Sequence, residues 1–213
     1  MLAGADFPKN KTDCIIRLET PADYRENEEM IREAFWNVYR PGCLEHYVMH
    51  VFRTADAVVK ELNFVMERNG RLIGQNVFVR AAIRADDGRE IPVLAMGPIC
   101  IRQELKRQGY GEYLLNETLD KAAALGYGAV CLEGNYEFYR HGGFVHARDL
   151  GLRYEGVEEA DFFLCRELIP GYLRGVTGVY SAPACYLVDE GEAEAFDRDF
   201  QPREKLRLPG QLV

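Results

Sequence analysis

The sequence contains no run of apolar residues near the roughly 18 that a membrane-spanning helix needs. Residues 1–9 also lack the apolar core of a signal peptide, so we expect a cytoplasmic protein. Basic residues do not outnumber acidic ones either. The formal net charge is −8, which argues against a nucleic acid, because polyanions bind to basic surfaces. We therefore expect neither a membrane nor a nucleic acid as partner.

Cysteine pairs of the Cys-x-x-Cys type are absent. The six cysteines are scattered, mostly in apolar runs where a free cysteine behaves as a small hydrophobe: Cys14, Cys43, Cys100, Cys131, Cys165 and Cys185. This usage indicates a reducing compartment without a disulfide framework. No repeat, low-complexity tract or linker divides the 213 residues. We expect one domain over residues 1–186 and a charged C-terminal tail or loosely packed arm over 187–213.

Residues 97–115 read as an apolar strand, then a basic turn with two glycines, then a helix. Gly109 and Gly111 have no Cβ, so the free backbone N–H groups at the helix start stay open to a phosphate. Lys106 and Arg107 add two positive charges there. The turn is too short for a Rossmann fingerprint and lacks the Gly-Lys-Ser/Thr of a P-loop. It predicts a phosphate or pyrophosphate site.

The pattern after this turn is equally specific. A helix from about Gly109 to Leu125 leads to the apolar strand 129–132 and then to Phe138-Tyr-Arg-His-Gly-Gly-Phe144. The two signatures, in this order, resemble the coenzyme A pyrophosphate loop and the Phe-Tyr-x-x-x-Gly-Phe turn of the GNAT acyltransferase superfamily. Glu45-His-Tyr, followed by His50 and Arg53, resembles a bacterial subgroup of predicted N-acetyltransferases. The resemblance covers residues 14 to about 186.

The coarse secondary structure agrees with this resemblance. We predict a strand over 14–18, helices over roughly 22–38 and 44–53, a hairpin at Asn69-Gly70, and a strand over 91–101 before the turn. The resemblance implies an α/β (α+β) fold, the GNAT acyl-CoA acyltransferase fold. Its central sheet is mixed and largely antiparallel, with helices on both faces.

The resemblance also implies acetyl-CoA as co-substrate and a set of contacts to it. The main chains of Ile99, Cys100 and Ile101 would bind the pantetheine and polarise the acyl carbonyl. The turn would hold the pyrophosphate through Lys106, Arg107, Gln108, Gly109, Tyr110 and Gly111. Lys106 stands where the superfamily usually has glutamine or arginine, and lysine lacks the fork that grips a phosphate bidentately. Asn135 is either a further coenzyme contact or a helix N-cap.

Four further residues are candidates for the chemistry. Tyr139 matches the tyrosine that protonates the departing thiolate; its alternative is packing a helix onto the sheet. Glu133, at the end of a strand beside the acyl site, is the best-placed carboxylate for a general base, unless it is a solvated loop residue. His46 and His50 lie one turn apart and would contact the substrate, act as the base or be structural. We expect no metal, because convincing further ligands are missing.

Together these features predict an acetyltransferase that moves an acetyl group from acetyl-CoA to an amine by direct transfer in a ternary complex. The acceptor would be a small molecule or a peptide, and the acidic balance is compatible with a cationic one. A non-catalytic acyl-CoA-binding or sensing module, an O-acyltransferase and a longer acyl donor remain alternatives. A homodimer stays open, and the sequence identifies neither the acceptor nor the base.

Overall fold

The structure is a computed structural model that describes residues 13–211. Residues 1–9, where the sequence shows no signal peptide, lie outside the described residues. Within residues 13–211, no helix is both long enough and apolar enough to cross a membrane.

A mixed sheet of nine strands forms the centre of the described chain. The strands are β1 (Cys14–Leu18), β2 (Val58–Arg68), β3 (Arg71–Ala85), β4 (Glu90–Ile101), β5 (Ala129–Glu133), β6 (Val145–His146), β7 (Leu152–Tyr154), β8 (Phe163–Glu167) and β9 (Gly178–Tyr180). Their order is β1-β2-β3-β4-β5-β8-β6, and β9 pairs with the end of β3 and with β7. The pairs β4–β5 and β7–β9 are parallel, and the other pairs are antiparallel.

The predicted hairpin joins β2 to β3. Asn69 and Gly70 have φ values of +52° and +74°, and Arg68 pairs with Arg71 across the turn. Successive positive φ angles are what a two-residue hairpin requires, and asparagine and glycine adopt them most easily. The long strands β2, β3 and β4 therefore follow one another as an antiparallel meander.

Helices cover both faces of the sheet: α1 (Tyr24–Phe35), α2 (Glu45–Phe52), α3 (Tyr110–Ala124), α4 (Tyr136–Tyr139) and α5 (Glu190–Asp197). Apolar side chains of α1 and α2 pack in one core cluster with Val77 and Val79 of β3. Those of α3 pack in another cluster with Phe78, because neighbouring residues of a strand point to opposite faces. The predicted fold class, a mixed and largely antiparallel sheet between helices, is confirmed.

The first helix is shorter than the sequence suggested, since α1 ends at Phe35 rather than near Val38. Asn37 stops it with a φ of +60°, a left-handed conformation. Its backbone N–H donates to the carbonyl of Gly42 at 2.8 Å, and its side-chain oxygen accepts the Gly42 N–H at 2.8 Å. This closed loop, residues 36–42, turns the chain from α1 to α2.

The C-terminal segment expected to be a loose charged tail packs against α1 and α2 instead. It contains α5, and both Ala193 and Phe200 are buried. Arg32 of α1 donates to both oxygens of Asp197 at 2.6 and 3.2 Å. Farther along, the indole N–H of Trp36 donates to the carbonyl of Glu204 at 2.9 Å. The segment is charged, as expected, but it braces the loop between α1 and α2.

Candidate active site

β4 and β5 separate part-way along their length. They pair at Leu94 with Val130 and at Ala95 with Cys131, and the described chain shows no later pair between them. Gly97 follows with a φ of +126°, a conformation that side chains with a Cβ rarely adopt. β4 nevertheless stays paired with β3 as far as Ile101. The edge of β4 that faces away from β3 is therefore open after residue 95.

A cavity of about 560 Å³, here called the first cavity, lies between the end of α1, the open part of β4 and the start of α3. The sequence anticipated these of its lining residues: Ile99, Cys100, Ile101, Lys106, Arg107, Gly109, Gly111, Asn135 and Tyr139. It did not anticipate Ala34, Phe35, Val38, Tyr39, Glu112 and Phe138. The volume is within the usual range for a small-molecule or cofactor site.

The turn before α3 has the shape of an anion site. Arg107 and Gly109 have positive φ angles of +62° and +83°, and α3 begins at Tyr110. The first N–H groups of a helix have no partner inside the helix and carry its positive dipole end. A Cβ at Gly111 would lie 3.4 Å from Phe138 Cζ, an ordinary van der Waals contact, so Phe138 packs directly beside the start of α3. A phosphate at this end of the first cavity would meet both N–H groups and cations.

The two cations differ in how they are held. Lys106 Nζ donates to the carbonyl of Ala34, near the end of α1, at 3.3 Å. Arg107 has no hydrogen bond or ion pair to other residues in the described range 13–211. Arg107 is thus the side chain that is ready for a phosphate, whereas Lys106 also ties the turn to α1.

Two of the turn residues do not line the first cavity. The Gln108 side chain donates to the carbonyl of Glu104 at 3.0 Å. The Tyr110 ring is buried, and its hydroxyl accepts a hydrogen bond from Arg68 at 2.9 Å. Tyr110 could therefore meet a ligand only through its main chain, whereas the exposed Gln108 side chain stays a predicted contact. Asn135 lines the cavity, and its side-chain oxygen caps α4 through the Glu137 N–H at 2.8 Å, so the N-cap is observed and the coenzyme contact stays a prediction.

A second cavity, of about 380 Å³, adjoins the first where β4 and β5 have separated. Its walls are the aromatic side chains of Phe35, Tyr39, Tyr139, Tyr154, Tyr180 and Tyr186, the carboxylates of Glu45 and Glu133, the β4 residues 95–99, and Val48, Ala182 and Leu187. Four residues line both cavities: Phe35, Tyr39, Ile99 and Tyr139. A molecule in one cavity would therefore lie against a molecule in the other.

Tyr139 stands at this junction. Its ring packs edge to face against Phe138 and Phe144, with centroid distances of 4.9 and 5.7 Å. A Cβ at Gly134 would collide with the ring, so the glycine makes room for it. Burial raises the pKa of Tyr139, and the nearby Tyr39 adds to this. The hydroxyl keeps its proton at neutral pH and is available as a donor.

The two carboxylates of the second cavity have different surroundings. Glu133, at the end of β5, is exposed and accepts a hydrogen bond from the Tyr154 hydroxyl at 2.7 Å. Glu45, in the first turn of α2, accepts the Leu44 N–H at 2.9 Å, and burial raises its pKa. The motif that resembles the N-acetyltransferase subgroup includes Glu45, but the sequence does not predict that Glu45 lines the site. Its place in the cavity depends on how α2 packs, which no local pattern shows.

The described geometry is that of a site for two adjoining ligands, and comparison with known proteins identifies the family. The model of the acetyltransferase (GNAT) domain matches residues 15–147, more than half of the sequence. The chain belongs to the GNAT acetyltransferase family. The recognition made from the sequence is thereby confirmed, and so is the reaction class, an acyltransferase.

Relatives of this GNAT protein include the uncharacterized N-acetyltransferase YhbS of Escherichia coli K12. That protein is 28% identical over 167 residues, which are 78% of this chain and 93% of YhbS. The crystal structure of E. coli YhbS in complex with CoA superposes with a TM-score of 0.72 at 23% identity, covering 82% of this chain and 92% of that one. A GNAT acetyltransferase from Brucella melitensis in complex with acetyl-CoA gives 0.66 at 23% identity, covering 82% and 98%.

The structure places both predicted histidines of this GNAT domain outside the two cavities. His46 is completely buried; its ring packs against Phe196 and Phe200, and its Nε2 lies 3.1 Å from Asp197 Oδ1. His50 is half exposed, and its Nδ1 lies 3.0 Å from Glu28 Oε1. The side of α2 that carries His46 faces α5 and not the second cavity. The substrate contacts expected of the two histidines therefore stay predictions that the two cavities do not support.

Among the described residues, no group of three or more histidine, cysteine or acidic side chains is arranged to hold a metal ion. Cys43 and His46, which have a metal-like spacing in the sequence, lie 3.3 Å apart between Sγ and Nδ1 inside the core.

Proposed function

We propose that this GNAT protein is an N-acetyltransferase that binds acetyl-CoA and an amine together and transfers the acetyl group directly. The observation that carries the proposal is the pair of adjoining cavities with Ile99 and Tyr139 in their common wall. Holding both reactants at one junction converts a bimolecular reaction into an effectively unimolecular one.

The coenzyme would occupy the first cavity. Its pyrophosphate would bind the 106–111 turn, where Arg107 and the free N–H groups of α3 converge. Its pantetheine would follow the open edge of β4 at residues 99–101 toward Tyr139. Structures with CoA and with acetyl-CoA of proteins that share this fold support the proposal.

The reaction needs one bond made and one broken. The neutral amine nitrogen attacks the acetyl carbonyl carbon, the carbonyl oxygen becomes an oxyanion, and the carbon–sulfur bond then breaks. A main-chain N–H of Ile99–Ile101 would stabilise the oxyanion. Tyr139 would donate its proton to the sulfur as the thiolate leaves, and the phenolate would regain a proton from the amine through solvent.

A carboxylate of the second cavity would take the proton that the ammonium must lose first. Glu133 fits this role because the Tyr154 hydroxyl fixes it at the mouth of the cavity at 2.7 Å. A covalent acetyl-enzyme is not required. Among the described residues that line the first cavity, Cys100 carries the one thiol, and burial raises its pKa to about 12, so it stays protonated and is a poor nucleophile.

Binding of acetyl-CoA to the 106–111 turn tests the proposal. In Gly109→Glu a bulky anion stands where the pyrophosphate would lie, and we expect acetyl-CoA to bind at least tenfold more weakly, about 1.4 kcal/mol. Isothermal titration calorimetry measures the affinity. Gly88→Glu is the matched control, because Gly88 has a similar φ of +90°, lies in open space in the β3–β4 turn and receives the same charge.

Unchanged affinity in Gly109→Glu would contradict the coenzyme site. Tight acetyl-CoA binding without thiol release for any amine would instead favour the non-catalytic binding module.

A further inference from the structure

The two cavities carry opposite charge. The described residues that line the first cavity include Lys106 and Arg107 beside one carboxylate, Glu112. Those that line the second include the carboxylates of Glu45 and Glu133 and no lysine, arginine or histidine. A polyanion is favoured in the first cavity and a cation in the second, because opposite charges at short range stabilise each other.

The positive charge of Arg40 acts on Glu45 through space, but the Arg40 side chain is already paired with another carboxylate. Its guanidinium makes two hydrogen bonds to the carboxylate of Glu190, at 3.0 and 2.9 Å, and does not line the second cavity. A ligand anion entering this cavity would therefore meet two acidic side chains, with no cation among the described lining residues to offset them.

The aromatic walls of the second cavity add to this preference. The hydroxyl of Tyr186 donates to the carbonyl of Gly97 at 2.8 Å, and that of Tyr154 donates to Glu133 at 2.7 Å. These hydrogen bonds hold the rings of Tyr154 and Tyr186 in the wall of the cavity. The Tyr180 ring is held by stacking on Phe163, with a centroid distance of 4.8 Å. The three tyrosines therefore offer apolar surface to the carbon skeleton of an amine, and a ring face turned to the cavity would also attract its ammonium group.

We infer that the acceptor is a small alkyl- or arylalkylamine that carries no carboxylate, such as the amine left when an amino acid loses its carboxyl group. The inference rests on the proposed function and names the substrate class of its second cavity. The ammonium would bind Glu45 and Glu133, and the rest of the molecule would pack among the tyrosines. At about 380 Å³ the cavity is near the lower end for small-molecule sites, which fits a compact amine.

Matched pairs of amines that differ only by a carboxylate test this inference: cadaverine and lysine, tyramine and tyrosine, tryptamine and tryptophan. The purified protein is given acetyl-CoA and each amine, and kcat/KM is measured from the release of free thiol. For each pair that reacts, we expect kcat/KM to be at least tenfold higher for the amine without the carboxylate, a difference of about 1.4 kcal/mol.

The variant Glu45→Gln links the preference to the cavity. It removes one of the two negative charges, so the KM for the preferred amine should rise and the preference within its pair should shrink, while the affinity for acetyl-CoA stays the same. Glu61→Gln is the control, because Glu61 is an exposed carboxylate of β2 that lines neither cavity.

The outcomes separate the inference from the proposed function. If the wild-type protein does not bind acetyl-CoA, the proposed function itself is refuted. If acetyl-CoA binds but the amino acids react as well as their decarboxylated partners or better, or if none of the amines reacts, the inference is overturned. It is also overturned if Glu45→Gln behaves like Glu61→Gln.

Discussion

The burial of His46 makes a quantitative prediction about stability. Burial lowers the pKa of His46 from 6.5 to about 4, with the charge of Asp197 acting in the opposite direction. The difference between these two pKa values corresponds to about 3 kcal/mol, because a tenfold change in proton affinity is about 1.36 kcal/mol. The histidine binds its proton more weakly in the folded than in the unfolded chain. Its full contribution to stability is therefore present above pH 6.5 and is lost as the pH falls toward 4.

His46→Gln removes this titration and keeps a polar side chain of similar reach. At pH 5 the wild type should have lost about 2 kcal/mol of the His46 contribution, since the unfolded histidine is then almost fully protonated and the folded one is not. We expect the variant to be less stable than wild type at pH 7.5, and its free energy of unfolding to fall by about 2 kcal/mol less between pH 7.5 and 5. Urea unfolding followed by circular dichroism measures both.

His50→Gln is the matched control on the same helix, because it makes the same replacement at a half-exposed ring and so separates the effect of burial from that of replacing a histidine by glutamine. Equal losses of stability in wild type and His46→Gln would refute the account of a buried neutral histidine. If His46→Gln changes the KM for the amine and leaves the stability unchanged, the result would instead support the substrate contact that the sequence predicts for His46.

Three further predictions concern the site and its support. Tyr139→Phe should lower kcat by about 100-fold, the low end for general acid catalysis, and leave the acetyl-CoA affinity unchanged; wild-type turnover would mean that Tyr139 only packs against its neighbours. Glu133→Gln should remove the acidic limb of the pH–rate profile, and an unchanged limb would point to another base. Asp197→Asn should cost about 3 kcal/mol in urea unfolding, because Arg32 stays buried without its charged partner, and a loss below about 1 kcal/mol would contradict that.

The sequence predicted the parts of the molecule that short segments determine. Asn69-Gly70 is a hairpin because both residues tolerate positive φ, and that property does not depend on distant residues. The strand–turn–helix over 97–115 is similarly local, since apolar residues, glycines and a helix start lie next to one another. The first cavity could therefore be anticipated in large part, down to Arg107 and Gly109.

Distant packing accounts for what the sequence did not predict. The neighbours that bury His46, including Asp197 and Phe200, lie about 150 residues later in the chain, so the pattern around His46 looked the same as that of an accessible histidine. Glu45 is adjacent in sequence, yet it faces the second cavity. The burial of His46 and the position of Glu45 both depend on which side of α2 packs against α5. The sequence of one amphipathic turn does not determine that side.

The origin of the lining residues indicates where coenzyme and acceptor specificity reside. Every residue that lines the first cavity lies between Ala34 and Tyr139, inside the region that matches the GNAT domain. The second cavity also takes Tyr154, Tyr180 and Tyr186 from beyond residue 147, where that match ends. Under the proposed function, coenzyme binding would therefore depend on the part shared with the family. The selection of the amine would depend in addition on the C-terminal third, which contributes these three tyrosines to the cavity that Glu45 also lines.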